Sequence, residues 1–229
     1  MNVLDALRGG LVVSVQARAG SALDDAYVLA AIARASQDAG AAGVRVQGVR
    51  NLQSTRERVD VPIIGIIKRE YAGYEPYITP TLQEVNEVLA CGAEIVAFDA
   101  TARPRPPRAQ VTDLIAAIHS GGALAMADCS TPGEGAVAHA AGADIVATTL
   151  CGYTKESAGH KLPAFDLVRA LARVAPFVIC EGGIHQPAMA AKALEAGAHA
   201  VVVGTAITNT EWLVQQYAAG LNPQRSSRA

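Results

Sequence analysis

Charged side chains follow some of the most apolar stretches of this chain, and they are the first candidates for chemistry. Lys68 follows the run 63–67, and Glu181 follows the run 177–180. Removing water from an ammonium group is costly, so a lysine is rarely buried without a partner. A lysine whose pKa is lowered by an apolar setting can act as a general base, or it can form a Schiff base with a carbonyl substrate.

Eight short runs rich in β-branched residues alternate with longer alanine-rich segments. Most of these runs are apolar without alternation, as expected of parallel strands that are covered on both faces. We predict strands at residues 11–16, 43–47, 63–68, 94–99, 123–128, 145–149, 177–181 and 200–204.

The segments between the runs have helical patterns. Residues 24–40 place an apolar stripe on one face and end at Gly40, and Thr81 precedes Glu84 at the spacing of a capping box. Eight β/α units in about 220 residues have the count and size of an α/β, single-domain (β/α)₈ TIM barrel. An open doubly wound sheet is the alternative.

The composition bounds the domain count and the class of protein. The chain has 229 residues, of which 51% are hydrophobic, and a net charge of −2, which gives no basic surface for nucleic acid. No stretch is apolar enough to span a membrane, and the N-terminus does not resemble a secretory signal. We predict a catalytic barrel over residues 1–220 and a disordered tail over 221–229.

The cysteines and histidines give no sign of a metal site. Cys91, Cys129, Cys151 and Cys180 form no C-x-x-C pair, and the five histidines follow no ligand spacing. We therefore predict buried thiols in a reducing, cytoplasmic setting and no metal. Three arginines at 103, 105 and 108 lie among prolines, and we expect them in a solvated loop or, alternatively, at a local anion contact.

The predicted strand ends form a ring of polar residues. In a barrel these ends converge on one mouth, where active sites are built. Seven of the eight residues are polar and five can carry charge. This favours a functional site over the alternative that each strand simply becomes polar where it leaves the core. The ring consists of Gln16, Arg45, Lys68, Asp99, Asp128, Thr149, Glu181 and Gly204.

Two glycine-containing segments predict phosphate binding. "EGGI" (181–184) follows the seventh run and "VGTAI" (203–207) ends the eighth. The loops after strands 7 and 8 of such barrels often hold a phosphate group with backbone N–H groups. Glycine permits the close backbone approach that this binding needs. We therefore expect a barrel of the phosphate-binding type.

Several motifs together resemble those of N-acetylmannosamine-6-phosphate 2-epimerases. The similarity extends over about residues 7–217, and "GIIKREY" and "MADCSTP" with "TTLCGYT" are its most specific parts. "EGGI" and "VGTAI" are shared by many phosphate-binding barrels. The other motifs that carry the resemblance are "SVQA", "AGVRVQGV", "ITPTLQEV", "FDATARPRP", "CEGGIHQP" and "VVVGTAIT".

The resemblance implies a (β/α)₈ isomerase of sialic acid catabolism that needs no cofactor. It would interconvert N-acetylmannosamine 6-phosphate and N-acetylglucosamine 6-phosphate, with Lys68 and Glu181 as the catalytic pair. The implied substrate-binding residues are the side chains of Gln16, Arg45 and Asp128 and the backbone of Gly182, Gly183, Gly204 and Thr205.

The resemblance also implies a homodimer. Trp212, Leu213, Val214 and Tyr217 on the last predicted helix could form its interface stripe. At this spacing the pattern favours an ordinary face that covers the barrel core.

One position departs from the pattern that the resemblance implies. An arginine that reaches the phosphate end commonly follows "AIT" in such enzymes, and this chain has Asn209 there. A neutral amide keeps a donor but loses the charge and the two-pronged geometry of arginine. Either phosphate affinity is weaker or another cation compensates, and Arg69 and Lys155 are the candidates that the sequence suggests.

Epimerisation at C2 requires removal of one proton and delivery of another to the opposite face. Burial and Arg45 would lower the pKa of Lys68 while Asp128 and Glu181 would raise it, so the sequence leaves the net direction open. Lys68 could act with Glu181 or perform both transfers. The alternatives are a Schiff base at Lys68, another sugar-phosphate isomerase or lyase, and a barrel that binds phosphosugars without catalysis.

Overall fold

A closed barrel of eight parallel strands forms the centre of the protein in a computed structural model, which describes residues 2–106 and 110–221. Each strand pairs with its neighbours in chain order, and β8 closes the ring against β1. The TIM barrel predicted from the sequence is therefore confirmed, and the open sheet is excluded. The strands are β1 Leu11–Val15, β2 Gly43–Gln47, β3 Ile63–Ile66, β4 Ile95–Asp99, β5 Leu124–Asp128, β6 Ile145–Ala147, β7 Val178–Glu181 and β8 Ala200–Val203.

Helices connect the strands and cover the outside of the barrel. The predicted capping box is present at the start of α4, where Thr81 and Glu84 each satisfy the other's backbone N–H. A short 3₁₀ helix, Lys155–Ser157, lies in the long connection after β6. The helices are α1 Val3–Leu7, α2 Ala26–Asp38, α3 Val49–Arg56, α4 Leu82–Leu89, α5 Val111–Ser120, α6 Pro132–Ala140, α7 Phe165–Leu171, α8 Pro187–Glu195, α9 Thr205–Thr208 and α10 Thr210–Leu221.

The strands are apolar throughout because both of their faces are buried. In β3, Ile64 and Ile66 belong to the cluster that fills the barrel interior. Ile63 and Ile67 belong to the cluster between the strands and the helices. Side chains alternate along a strand, so Lys68 continues the inward phase of Ile64 and Ile66. This phase explains why an apolar run is followed by a lysine, since the next inward position lies at the mouth.

Two predicted strand ends differ from the observed ones in a way that matters for the site. Arg45 lies at the third position of β2, two residues before its end, and its side chain is buried inside the barrel. Lys68 lies two residues beyond β3, where its backbone forms an isolated antiparallel bridge with Ile78. The bridge brings the segment around Tyr77 over the mouth.

The last helix, α10, is the most exposed element. None of its residues is buried, and Val214 and Tyr217 are 61% and 77% exposed. The interpretation of this stripe as barrel-covering core is therefore wrong. Leu221 is the final residue of α10 rather than the first of a tail, and residues 222–229 lie outside the described part of the chain. Among the described residues, no helix combines the length and apolarity that crossing a membrane requires.

Gly65 in β3 allows α3 and α4 to pack closely on the barrel. A Cβ atom at this position would lie 2.5 Å from Val88 Cγ1 and 3.0 Å from Ala93 Cβ. We expect Gly65→Ala to lower the free energy of unfolding by about 1–3 kcal/mol, because the added methyl group overpacks a dense core. Urea denaturation measures the effect.

The matched control is Gly133→Ala in α6, where an added Cβ would meet no atom within 4 Å. This change should leave the free energy of unfolding unchanged or raise it by up to ~1 kcal/mol. Equal destabilisation by both substitutions would contradict the packing argument.

Candidate active site

A cavity of about 360 Å³ opens at the C-terminal mouth of the barrel. It is the place where sequence analysis expected the polar strand ends to converge, and six of the eight members of the ring line it. They are Gln16, Arg45, Lys68, Thr149, Glu181 and Gly204.

Arg45 forms a buried ion network beneath this cavity. Its guanidinium group donates from Nη2 to Asp128 Oδ2 at 2.7 Å, and from Nη1 to Asp128 Oδ1 at 3.1 Å and Glu181 Oε2 at 2.9 Å. Burial alone would lower the pKa of Arg45, but the two carboxylates raise it above its ordinary value. Arg45 is therefore a fixed positive charge that reaches from β2 to β5 and β7.

Two threonines at the end of β6 orient Glu181. The Thr149 hydroxyl lies 2.8 Å from Asp128 Oδ1 and 3.1 Å from Glu181 Oε2, so it donates to one of these carboxylates. The Thr148 hydroxyl accepts from the Glu181 backbone N–H at 3.0 Å. Both the backbone and the carboxylate of Glu181 are thereby held in place.

Lys68 is exposed to the solvent of the cavity, yet the walls of the mouth remove part of its hydration. This desolvation lowers the pKa of Lys68 below its ordinary value, and the positive charge of Arg45 adds to the effect. Glu181 and Asp128 oppose it without reversing it. The sequence left open whether the pKa of Lys68 is raised or lowered. In the structure it is lowered, which favours the neutral amine.

Glu181 shows the opposite change. Its side chain is only 16% exposed, and burial raises the pKa of its carboxyl group above the ordinary value. The positive charge of Arg45 lowers this pKa in part, while the negative charge of Asp128 raises it further. A lysine with a lowered pKa and a glutamic acid with a raised pKa therefore line the same cavity.

The glycine segments form another part of the cavity wall. Gly182, Gly183, Gly204 and Thr205 all line it, as the phosphate prediction requires. Gly183 has a φ of +70°, and a Cβ there would lie 2.5 Å from Leu162 Cβ, so a larger residue would displace the loop. The glycine at this position is therefore required by the close approach of the segment at Leu162.

Two members of the predicted ring do not line the cavity. Asp128 is fully buried and bonded to the lining residues Arg45 and Thr149, and its contact with substrate stays a prediction. Asp99 is also fully buried, and it pairs with Arg103 and Arg105. The expectation of a solvated loop is therefore wrong for these two arginines, and the third, at 108, lies outside the described residues.

Neither of the two cations suggested to replace the missing arginine reaches the cavity. Arg69 pairs with Glu84 and Glu87 on α4. Lys155 pairs with Glu75 at 3.0 Å, and its side chain is 85% exposed. Neither belongs to the cavity wall.

Several lining residues were missed by the sequence analysis. Ser14 shares the inward phase of β1 with Val12 and accepts a hydrogen bond from Gln16 Nε2 at 2.8 Å, so the alternation could have revealed it. Others come from loops, where no periodicity signals direction, and they include Arg18, Tyr77, Tyr153 and His185. Glu211, which also lines the cavity, lies in the first turn of α10.

Metal-binding chemistry has no cluster to support it in residues 2–106 and 110–221. No group of three or more His, Cys, Asp or Glu side chains in these ranges lies close enough together to hold an ion.

Comparisons with known proteins agree on one family. Residues 29–223 match the sequence model of a family described as "Putative N-acetylmannosamine-6-phosphate epimerase". A "Putative N-acetylmannosamine-6-phosphate 2-epimerase" from Clostridium perfringens is 44% identical over 216 residues, which cover 94% of this chain and 98% of that protein. One from Edwardsiella ictaluri is 45% identical, with coverage of 94% and 91%.

A solved structure gives the same result. The N-acetylmannosamine-6-phosphate 2-epimerase from Clostridium perfringens superimposes with a TM-score of 0.92 at 42% identity, over 95% of this chain and 96% of that one. The fold, the sequence and the length of the match agree. This chain belongs to the N-acetylmannosamine-6-phosphate 2-epimerase family.

Proposed function

We propose that this chain interconverts N-acetylmannosamine 6-phosphate and N-acetylglucosamine 6-phosphate in sialic acid catabolism, as an isomerase. The observation that carries the mechanism is the placement of Lys68 and Glu181. Lys68 follows β3 and Glu181 ends β7, and these strands are four apart in either direction around the closed ring. The two groups therefore approach the cavity from opposite walls. Two groups on opposite faces of a carbon atom can invert it, one by removing a proton and the other by delivering one.

The reaction uses the open-chain aldehyde form of the sugar, in which the C1 carbonyl makes the C2 proton acidic. Neutral Lys68 removes this proton, and the electrons of the C2–H bond move to form an enolate. Protonated Glu181 then delivers a proton to the other face of C2. Lys68 ends with one proton more and Glu181 with one fewer, and solvent returns the pair to its starting state. Arg45 supplies a fixed positive charge near the developing oxyanion.

The opposite changes in pKa bring the two protonation states of the pair closer in energy. An ordinary lysine and an ordinary glutamic acid, at 10.5 and 4.5, differ by about six in pKa, which corresponds to roughly 8 kcal/mol. This is the cost of moving a proton from an ammonium group to a carboxylate with no help from the protein. Desolvation at both groups reduces it, because each group loses part of the hydration that favours its charged form.

The sugar and its phosphate group would contact different parts of the cavity wall. Gln16 and Arg45 face the sugar on the side of β1 and β2, and the backbone of Gly182, Gly183, Gly204 and Thr205 receives the phosphate. The N–H groups of glycine-containing loops suit an anion because no side chain blocks the approach.

We also propose a homodimer in the cytoplasm, as expected from the sequence. Val214, Tyr217 and Leu221 on α10 expose an apolar surface on which a second copy would pack. All four cysteines are buried free thiols, which supports a reducing compartment.

Proton exchange in D₂O tests the function directly. We expect the wild-type protein to epimerise N-acetylmannosamine 6-phosphate and to place deuterium at C2, as followed by ¹H NMR. We expect Lys68→Ala to reduce both rates by roughly 10²–10⁴-fold, because the base is lost. A wild type that neither exchanges nor epimerises would exclude the function, and an adduct trapped with borohydride would favour a Schiff base instead.

Glu181→Gln separates the two transfers. This variant keeps Lys68, so we expect deuterium to enter C2 of the starting sugar on the face from which the proton was removed. Epimerisation should fall by roughly 10²–10⁴-fold, because the amide cannot deliver a proton. Epimerisation at the wild-type rate would instead assign both transfers to Lys68 alone.

The pH profile gives an independent check. In either direction of the reaction, Lys68 and Glu181 together hold one proton. At high pH Lys68 loses this proton, so the kcat/KM of the wild type should fall there. Because the pKa of Lys68 is lowered, this alkaline limb should lie below pH 10.5. In Glu181→Gln the rate of deuterium exchange should instead rise as the pH passes the pKa of Lys68, because the neutral amine is the base. Profiles that change in the same sense in both proteins would contradict the paired mechanism.

A further inference from the structure

The cavity wall carries a third cation that the proposed proton transfer does not use. Among the described lining residues, the arginine and lysine side chains are Arg18, Arg45 and Lys68. Arg45 is committed to Asp128 and Glu181, and Lys68 must be neutral to accept the C2 proton. The positive charge of Arg18 therefore remains for a ligand.

Arg18 lies on the side of the cavity where the phosphate loops meet β1. β8 pairs with β1, and a Cβ at Gly204 would lie 3.2 Å from Ser14 Cβ, so the loops after these strands are neighbours. Arg18 is in the loop that follows β1, and its side chain is exposed. A guanidinium group on this loop faces the same space as the backbone of Gly204 and Thr205.

A carboxylate at this end of the cavity makes a cation necessary. Glu211, in the first turn of α10, lines the cavity and accepts a hydrogen bond from the Ser21 hydroxyl. Ser21 lowers the pKa of Glu211, and the positive charge of Arg18 contributes in the same direction. An ionised Glu211 would repel a phosphate dianion, and the positive charge of Arg18, which acts on Glu211, would oppose that repulsion.

Asn209 cannot provide the charge, and its side chain has another task. Its Oδ1 atom accepts a hydrogen bond from the Trp212 backbone N–H at 2.8 Å, as a capping asparagine does at the start of a helix. The position that is expected to hold an arginine thus helps to begin α10 instead. His185 stacks on Trp212 at 5.1 Å between ring centroids, which ties the loop after β7 to the same turn.

We propose that Arg18 supplies the positive charge that binds the 6-phosphate group of the substrate, in place of an arginine at position 209. This inference rests on the proposed function for the identity of the sugar, but the phosphate contact can be tested by itself. Arginine suits the role because its planar group can donate two hydrogen bonds to one phosphate.

The test compares Arg18→Gln with the wild type. We expect the KM for N-acetylmannosamine 6-phosphate and the Ki for inorganic phosphate to rise by roughly 10- to 100-fold, since a hydrogen-bonded charge is lost. The kcat should change by less than about threefold, because this contact is the same in the ground and transition states. Affinity for unphosphorylated N-acetylmannosamine should be unchanged.

Two further proteins sharpen the result. Arg50→Gln removes an arginine that lies outside the cavity and has an 83% exposed side chain, so its constants should equal those of the wild type. Arg18→Gln combined with Asn209→Arg should recover much of the phosphate affinity, because the charge returns from the neighbouring loop.

The outcomes separate this inference from the proposed function. If the wild type epimerises but Arg18→Gln keeps the wild-type KM and Ki, the role of Arg18 is refuted and the function stands. If the wild type does not epimerise but Arg18→Gln weakens the binding of inorganic phosphate, the Arg18 contact stands and the function is refuted.

Discussion

The buried contact between Arg45 and its two carboxylates is the interaction on which the rest of the site depends. A guanidinium group inside a barrel loses its hydration, and only paired and well-oriented anions can offset that cost. Asp128 provides two hydrogen bonds and Glu181 a third. Removing Asp128 would leave Arg45 and Glu181 to rearrange. Arg45 thus both holds the carboxyl group of Glu181 and adds to the desolvation that lowers the pKa of Lys68.

The three acidic residues that end strands have been given three different environments. Asp99 is neutralised by Arg103 and Arg105. Asp128 is neutralised by Arg45 and does not line the cavity. Glu181 shares Arg45 with Asp128 and lines the cavity, and burial raises the pKa of its carboxyl group. Burial and pairing, and not residue type, distinguish the acid that lines the cavity from the two that do not.

The proposed phosphate contact would place the positive charge on a different loop from the one that the resemblance implies. The helix cap at Asn209 stabilises the start of α10, and a cation on the loop after β1 lies across the same space. Such a relocation is possible because a phosphate group accepts hydrogen bonds from several directions. The backbone loops hold its position, while the charge can come from any neighbouring segment that reaches it.

The sequence by itself determined the barrel, its eight strands and six strand-end positions that line the cavity. Apolar runs covered on both faces specify parallel strands, and the polar residues at the ends of these runs indicate one mouth where Arg45, Lys68, Asp128 and Glu181 converge. Only the tertiary structure decided which of these charges pair and which of them reach the cavity. Periodicity gives the direction of a side chain but not its partner across the barrel, so the withdrawal of Asp99 and Asp128 could not be predicted. Loops have no period, and for that reason Arg18 was found only once the strands had brought its loop beside Gly204.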